Sequence, residues 1–168
     1  MNIAYGIGFI CGLIFVVAAA FIIRKLIFRK KAVYDERQKI EQGKACKAGF
    51  YFLLAYCLCF GFADNIFDFR FTQLPIMFGG ALISVMIYAV YCIWKEAYFP
   101  INQSSIKWIV LLIAIGGINI FVAVMNRSVN MESSIINGMC AAMILIISVI
   151  SLIKLLIVRR SCHEESET

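Results

Sequence analysis

The sequence has little charge for its size. Asp, Glu, Lys and Arg make up 15% of its 168 residues, and hydrophobic residues make up 62%. A soluble domain contains about a quarter charged residues and about half apolar ones. A small globule keeps much of its surface exposed, so it cannot hide this excess of apolar side chains from water. The composition excludes an ordinary soluble domain and indicates a protein that folds in lipid.

The groups that enzymes need within a membrane are also scarce. The single histidine, His163, lies in the C-terminal tail, and no charged residue lies deep in a long apolar run. A Ser-His or Cys-His pair inside the membrane is therefore excluded. Phosphate-binding glycine loops and zinc signatures do not occur either. We expect no catalytic residue, no cofactor site and no metal site, and hence a protein that is not an enzyme.

Long uncharged runs are abundant instead. They cover residues 1–23, 48–63, 71–94, 108–126 and 133–153. A helix needs about 20 apolar residues to cross the hydrocarbon core of a bilayer. The short second run is extended by lysines whose stems lie in lipid while their charges reach the headgroups. The prediction is an all-α, polytopic membrane protein with a single membrane domain and five transmembrane helices, at about 3–23, 46–63, 74–94, 107–126 and 134–158.

The basic residues predict the orientation of these spans. Segments 24–47, 95–107 and 154–168 hold 14 of the 16 Lys and Arg residues, and Arg70 and Arg127 are the other two. Basic residues accumulate in cytoplasmic loops. We therefore predict an N-terminus outside, a cytoplasmic basic loop at 24–45 and a cytoplasmic tail at 159–168. The seven cysteines all fall within spans or on the cytoplasmic side of this arrangement, so no disulfide framework is expected.

A cluster of five basic residues follows the first predicted span. Leu26, Ile27 and Phe28 interrupt it, which suits a membrane surface better than nucleic acid. Each such charge attracts anionic lipid by about 1 kcal/mol. The predicted contacts with lipid headgroups are Arg24, Lys25, Arg29, Lys30 and Lys31.

A compact group of mixed charge stands next, Tyr34-Asp35-Glu36-Arg37-Gln38. Asp35 is placed as a helix N-cap, with Gln38 at the capping-box position three residues later. Oppositely charged residues four apart, Asp35 with Lys39 and Arg37 with Glu41, would support a helix that continues into the second span. Two interpretations remain open: Tyr34, Asp35, Glu36, Arg37 and Gln38 form a docking surface for a cytoplasmic partner, or they only begin a helix.

Small and polar residues within the spans are candidates for helix packing. Gly8 and Gly12 form a Gly-x-x-x-Gly pair, and Gly116 and Gly117 precede Asn119. We expect Asn119 to tie helices together by a hydrogen bond, because one amide offers too few ligands for a substrate or ion path. Ser84, Ser148 and Ser151 are expected to bond carbonyls of their own helices.

Several stretches resemble a family of small, multi-span membrane proteins of Gram-positive gut bacteria. They are Tyr34–Gln38, Gly43-Lys44-Ala45, Phe50-Tyr51-Phe52 and Cys92–Phe99. The resemblance implies a bacterial plasma-membrane protein and carries over no catalytic residue. Some similar proteins are encoded beside small helix-turn-helix regulators, which implies a membrane-bound partner of a regulator.

The sequence favours a non-enzymatic protein that acts through contacts, with anionic lipid, a cytoplasmic protein or a second copy of itself as partners, and without direct contact to nucleic acid. The alternative is a component of a small transporter or channel. Such a component would have to oligomerise to line a path with so few polar groups.

Overall fold

The computed structural model describes residues 32–67, 73–128 and 131–164. The chain divides after Val33, and almost all of these residues belong to the unit Tyr34–Thr168. They form four α-helices without a strand between them: α1 (Glu36–Phe67), α2 (Gln73–Trp94), α3 (Ser105–Asn126) and α4 (Met131–Glu164). The predicted all-helical class is confirmed.

Each of the four helices is long and apolar enough to cross a membrane. The candidate spans are Glu36–Ala63, Pro75–Trp94, Ser105–Asn126 and Met131–Arg160. They coincide, apart from residue 74, with the second to fifth predicted spans or extend beyond them. The first predicted span, the predicted lipid contacts Arg24, Lys25, Arg29, Lys30 and Lys31, and the pair Gly8 and Gly12 lie outside the described residues.

Helix α1 starts at the predicted cap. Asp35 Oδ1 accepts from the backbone N–H of Gln38 at 2.5 Å, and Gln38 Oε1 accepts from the backbone N–H of Asp35 at 3.3 Å. This reciprocal pair is a capping box, which satisfies donors that a helix start leaves free. The helix then runs for 32 residues without a break, so the predicted continuity from about Asp35 into the second span is confirmed.

The predicted ion pairs along this helix are wrong. Within the described residues, Lys44 pairs with Glu41 at 2.6 Å, and neither Asp35–Lys39 nor Arg37–Glu41 forms a salt bridge. The reason is that Asp35 is engaged in the cap and Glu41 finds partners on other turns.

The helices contact one another in the order α1, α2, α4 and α3. Helices α1 and α2 approach closely at Gly49, where the Ser84 hydroxyl donates to the Gly49 carbonyl at 2.8 Å. The expectation that Ser84 bonds its own helix is therefore wrong. Because Gly49 has no side chain, α1 comes close enough to α2 for the Gly49 carbonyl to accept from Ser84. Ser148 and Ser151 do bond carbonyls of their own helix, at 2.8 Å each, as predicted.

One end of the four helices carries a small buried cluster of Ala45, Cys92 and Ala97, with Tyr88, Tyr91 and Tyr98 packed around it. At this end α1 begins, α2 ends, α3 begins and α4 ends. Lys95, Lys107, Lys154, Arg159 and Arg160 also lie here, and we call it the basic end.

Candidate functional site

The site is built around the turn that ends α2. The backbone N–H of Ala97 donates to the carbonyl of Cys92 at 2.7 Å, and that of Glu96 donates to Ile93 at 3.1 Å. These two bonds form a Schellman motif, and the buried contact of Ala97 with Cys92 is its usual apolar partner. Glu96, which directly precedes Ala97 in this motif, has a φ of 58°. Glycine normally occupies this left-handed position because a side chain costs about 1 kcal/mol or more there.

Two glutamines of α1 bind the backbone of this turn. The Gln38 amide donates to the carbonyls of Glu96 at 2.8 Å and Phe99 at 3.2 Å, and the Gln42 amide donates to the carbonyl of Ala97 at 2.7 Å. These carbonyls have left the helix and need other donors. The start of α1 and the turn after α2 are thus joined by three hydrogen bonds.

A carboxylate adds a fourth link between α1 and α2. Glu41 accepts from the Tyr91 hydroxyl at 3.0 Å with one oxygen and from Lys44 at 2.6 Å with the other. Each oxygen of Glu41 therefore accepts one hydrogen bond. The Tyr91 ring packs against the buried cluster.

Helix α4 reaches the same turn through an ion pair. Lys154 Nζ lies 3.1 Å from Glu96 Oε1 and 5.9 Å from the centre of the Trp94 ring. The backbone carbonyl of Glu96 meets α1 while its carboxylate meets α4. We call this set of groups the polar junction: Gln38, Glu41, Gln42, Tyr91, Glu96 and Lys154.

A cavity of about 310 Å³ opens beside the polar junction, between the turn after α2, the start of α3 and the end of α4. Its volume is at the lower end of the range of about 300–1,000 Å³ typical of ligand sites. Burial raises the pKa of the Tyr98 phenol, which therefore stays protonated. The lining residues are Ile93, Glu96, Tyr98, Phe99, Pro100, Ile101, Gln103, Ser105, Ser151, Lys154, Leu155, Val158 and Arg159.

The predicted docking residues divide into two groups. Asp35, Glu36 and Arg37 are exposed, and Tyr34 is half-buried. Gln38 is only 5% exposed and is committed to the turn after α2. The side chain of Gln38 is therefore engaged within the chain, because its amide already binds the carbonyls of Glu96 and Phe99.

Of the predicted packing residues, Gly116 lies where expected. It is buried, and a Cβ at this position would stand 3.1 Å from Leu145 Cδ2 of α4. Gly117 and Asn119 need correction. A Cβ on Gly117 would meet nothing within 4 Å, and Asn119 Nδ2 donates to the Ile115 carbonyl of its own helix at 2.9 Å. Gly117 therefore faces away from the contact of α3 with α4, and the amide of Asn119 is bonded within α3 rather than to another described helix.

Sequence reasoning missed four members of the polar junction: Gln42, Tyr91, Glu96 and Lys154. A weak signal existed, since Glu96 and Lys154 are charges of opposite sign at the ends of two apolar runs. The left-handed backbone of Glu96 has no signal, because the position lacks the glycine that would mark it.

The described residues also include five free cysteines, among which Cys92 is buried. No group of three or more His, Cys, Asp or Glu side chains in that part of the chain is placed to hold a metal.

No protein-family model matches the chain, and neither a curated protein nor a solved structure matches it.

Proposed function

We propose that this chain is a non-enzymatic membrane protein of five spans, with its N-terminus outside and its C-terminus in the cytoplasm, that works by binding a cytoplasmic protein at the start of α1. The observation that carries the proposal is the exposure of Asp35, Glu36 and Arg37 directly beside the buried Gln38.

A docking surface needs exposed, chemically varied groups on a rigid support. The capping box and the three hydrogen bonds from the glutamine side chains to the turn after α2 supply the support. An ordinary solvated helix start has no need of a buried glutamine that crosses to another element. The mixed charges of Glu36 and Arg37 suit a polar protein partner, whereas a surface for anionic lipid alone would be uniformly basic.

The class of partner follows from the predicted orientation. The basic end would face the cytoplasm because it carries the excess of Lys and Arg. A soluble regulator, as the family resemblance implies, would reach Asp35, Glu36 and Arg37 without entering the membrane. Anionic lipid and a second copy of the chain are further contacts of the same protein.

The test is co-purification in mild detergent followed by mass spectrometry, with wild type beside the double variant Glu36→Ala/Arg37→Ala. This variant leaves Asp35, and hence the helix cap, in place. We expect it to insert normally and to lose a soluble protein that wild type retains.

The matched control is Arg127→Ala/Glu132→Ala, which removes the same two residue types from exposed positions at the opposite end of α3 and α4. It should retain the soluble protein. Equal recovery from all three proteins, or recovery from none, would refute the docking surface. A second membrane subunit or a bound solute in place of a soluble protein would support the transporter or channel alternative.

A further inference from the structure

We propose that the cavity at the basic end is a binding site for an anionic phospholipid, with its phosphate at Arg159 and Lys154 and the beginning of an acyl chain along α4. The site is distinct from the exposed residues at the start of α1. It rests on the proposed orientation only for the choice of leaflet, which would be the inner one.

The polar side of the cavity carries more positive than negative charge. Two cations, Lys154 and Arg159, and one carboxylate, that of Glu96, line the cavity. Lys154 pairs with Glu96, whereas Arg159 is exposed and forms no ion pair with a described residue. Lys154 has three N–H donors, so it can hold Glu96 at 3.1 Å and still donate to a ligand oxygen. An anionic group would find a forked guanidinium and an ammonium on neighbouring turns of one helix.

The start of α3 adds to this attraction. Ser105, its first residue, lines the cavity, and the N-cap Ser104 makes no side-chain cap bond. The positive end of the helix dipole therefore faces the cavity. This contribution supports the two cations and would not define a site without them.

The other wall is apolar. Ile93 of α2 and Leu155 and Val158 of α4 line it with apolar side chains. A free phosphate ion would leave this surface unused, whereas the glycerol and first methylenes of a lipid would cover it. The volume of about 310 Å³ suits such a portion of a lipid rather than the whole molecule.

The depth of the cavity agrees with a lipid headgroup. It lies where α2 ends at Trp94 and where Trp108 stands in the first turn of α3. Tryptophan is enriched at the boundary between hydrocarbon and headgroups. The cavity therefore lies at the level at which lipid phosphates are found.

The experiment is native mass spectrometry of the full chain in mild detergent, titrated with dioleoyl-phosphatidylglycerol or dioleoyl-phosphatidylcholine. We expect wild type to bind the phosphatidylglycerol more tightly. Arg159→Gln should weaken this binding about fivefold, since a charge at the membrane surface contributes about 1 kcal/mol and 1.4 kcal/mol is tenfold. Arg160→Gln is the matched control, because Arg160 is its exposed neighbour and does not line the cavity.

A second pair of variants tests the apolar wall. Val158→Trp fills the cavity, whereas Leu156→Trp places the same ring on an exposed surface of the same helix. Only the first should reduce phosphatidylglycerol binding. Equal loss in Arg159→Gln and Arg160→Gln, equal binding of the two lipids, or full binding by Val158→Trp would each overturn the proposal. These outcomes are independent of any soluble partner, so this proposal and the docking surface fail separately.

Discussion

At the scale of single residues, Gln38 shows how one side chain serves two elements. Its oxygen completes the cap of α1, and its amide nitrogen binds two carbonyls of the turn after α2. A buried acceptor that loses its donor costs about 1–3 kcal/mol. The position therefore selects an amide, which offers both a donor and an acceptor.

Gln38→Glu should destabilise the protein by about 1–3 kcal/mol, because a carboxylate preserves the cap but cannot donate to the carbonyls of Glu96 and Phe99. Thermal unfolding in mild detergent measures the effect. Glu36→Gln is the control, since this neighbour is exposed and should stay within about 0.5 kcal/mol of wild type. Equal unfolding temperatures for the two variants would show that the hydrogen bonds from the Gln38 amide contribute nothing to stability.

Glu96 holds the strained position of the polar junction. Glu96→Gly relieves about 1 kcal/mol of left-handed strain and removes an ion pair whose carboxylate is 54% exposed, which is worth about 1 kcal/mol at most. We expect this variant to unfold at or above the wild-type temperature.

Lys95→Gly, one residue earlier, is the comparison for that measurement. Lys95 has no positive φ, so glycine there only adds backbone freedom and should destabilise by about 0.5–1 kcal/mol. If both glycine variants lose stability equally, the backbone of Glu96 stores no strain.

At the scale of elements, close helix contacts depend on glycines that lie opposite a bulky or polar neighbour. Gly80 of α2 faces the Tyr56 ring of α1, whose hydroxyl donates to the Ile76 carbonyl at 2.7 Å. Gly49 and Ser84 make the second close contact of these two helices. Helices in lipid associate through such packing and through hydrogen bonds between them. The hydrophobic effect does not drive their association, because lipid tails are as apolar as the side chains.

Gly80→Ala should destabilise the packing of α1 on α2 by about 1–3 kcal/mol, because the new methyl group would overlap the Tyr56 ring. Gly117→Ala is the control. Its methyl group would meet nothing within 4 Å, and alanine favours a helix by about 1 kcal/mol over glycine. Unfolding in detergent should rank Gly117→Ala at or above wild type and Gly80→Ala below it; the opposite order would contradict the described contact.

At the scale of the whole molecule, the distribution of basic residues separates the two ends. Lys95, Lys107, Lys154, Arg159 and Arg160 lie at one end of the four helices, and Arg127 lies at the other. Retention of Lys and Arg in the cytoplasm orients such a chain during insertion. The same asymmetry provides the charges of the proposed lipid site.

Reporter fusions test this orientation directly. A reporter that is active only in the cytoplasm should work after positions 102 and 168, and one that is active only outside should work after positions 68 and 130. The physical reason is the excess of Lys and Arg in the segments that would stay inside. Cytoplasmic activity at position 68 or 130 would overturn the predicted arrangement.

The sequence by itself determined the helical class, the places of α1 to α4 and the cap at Asp35. These features depend on residues close together in the chain and on the solvent. A run without charge must satisfy its backbone internally in lipid, and a helix does this with its own hydrogen bonds. A capping box needs only two residues three positions apart.

Only the tertiary structure decided which small and polar residues matter. Gln38 and Glu96 are 58 positions apart, and no local pattern links them. Gly116 and Gly117 are equivalent in the sequence, yet only Gly116 meets α4, because adjacent residues of a helix face different directions. The polar junction and its cavity likewise exist only where three helix ends and one turn meet, since their geometry depends on how whole helices pack.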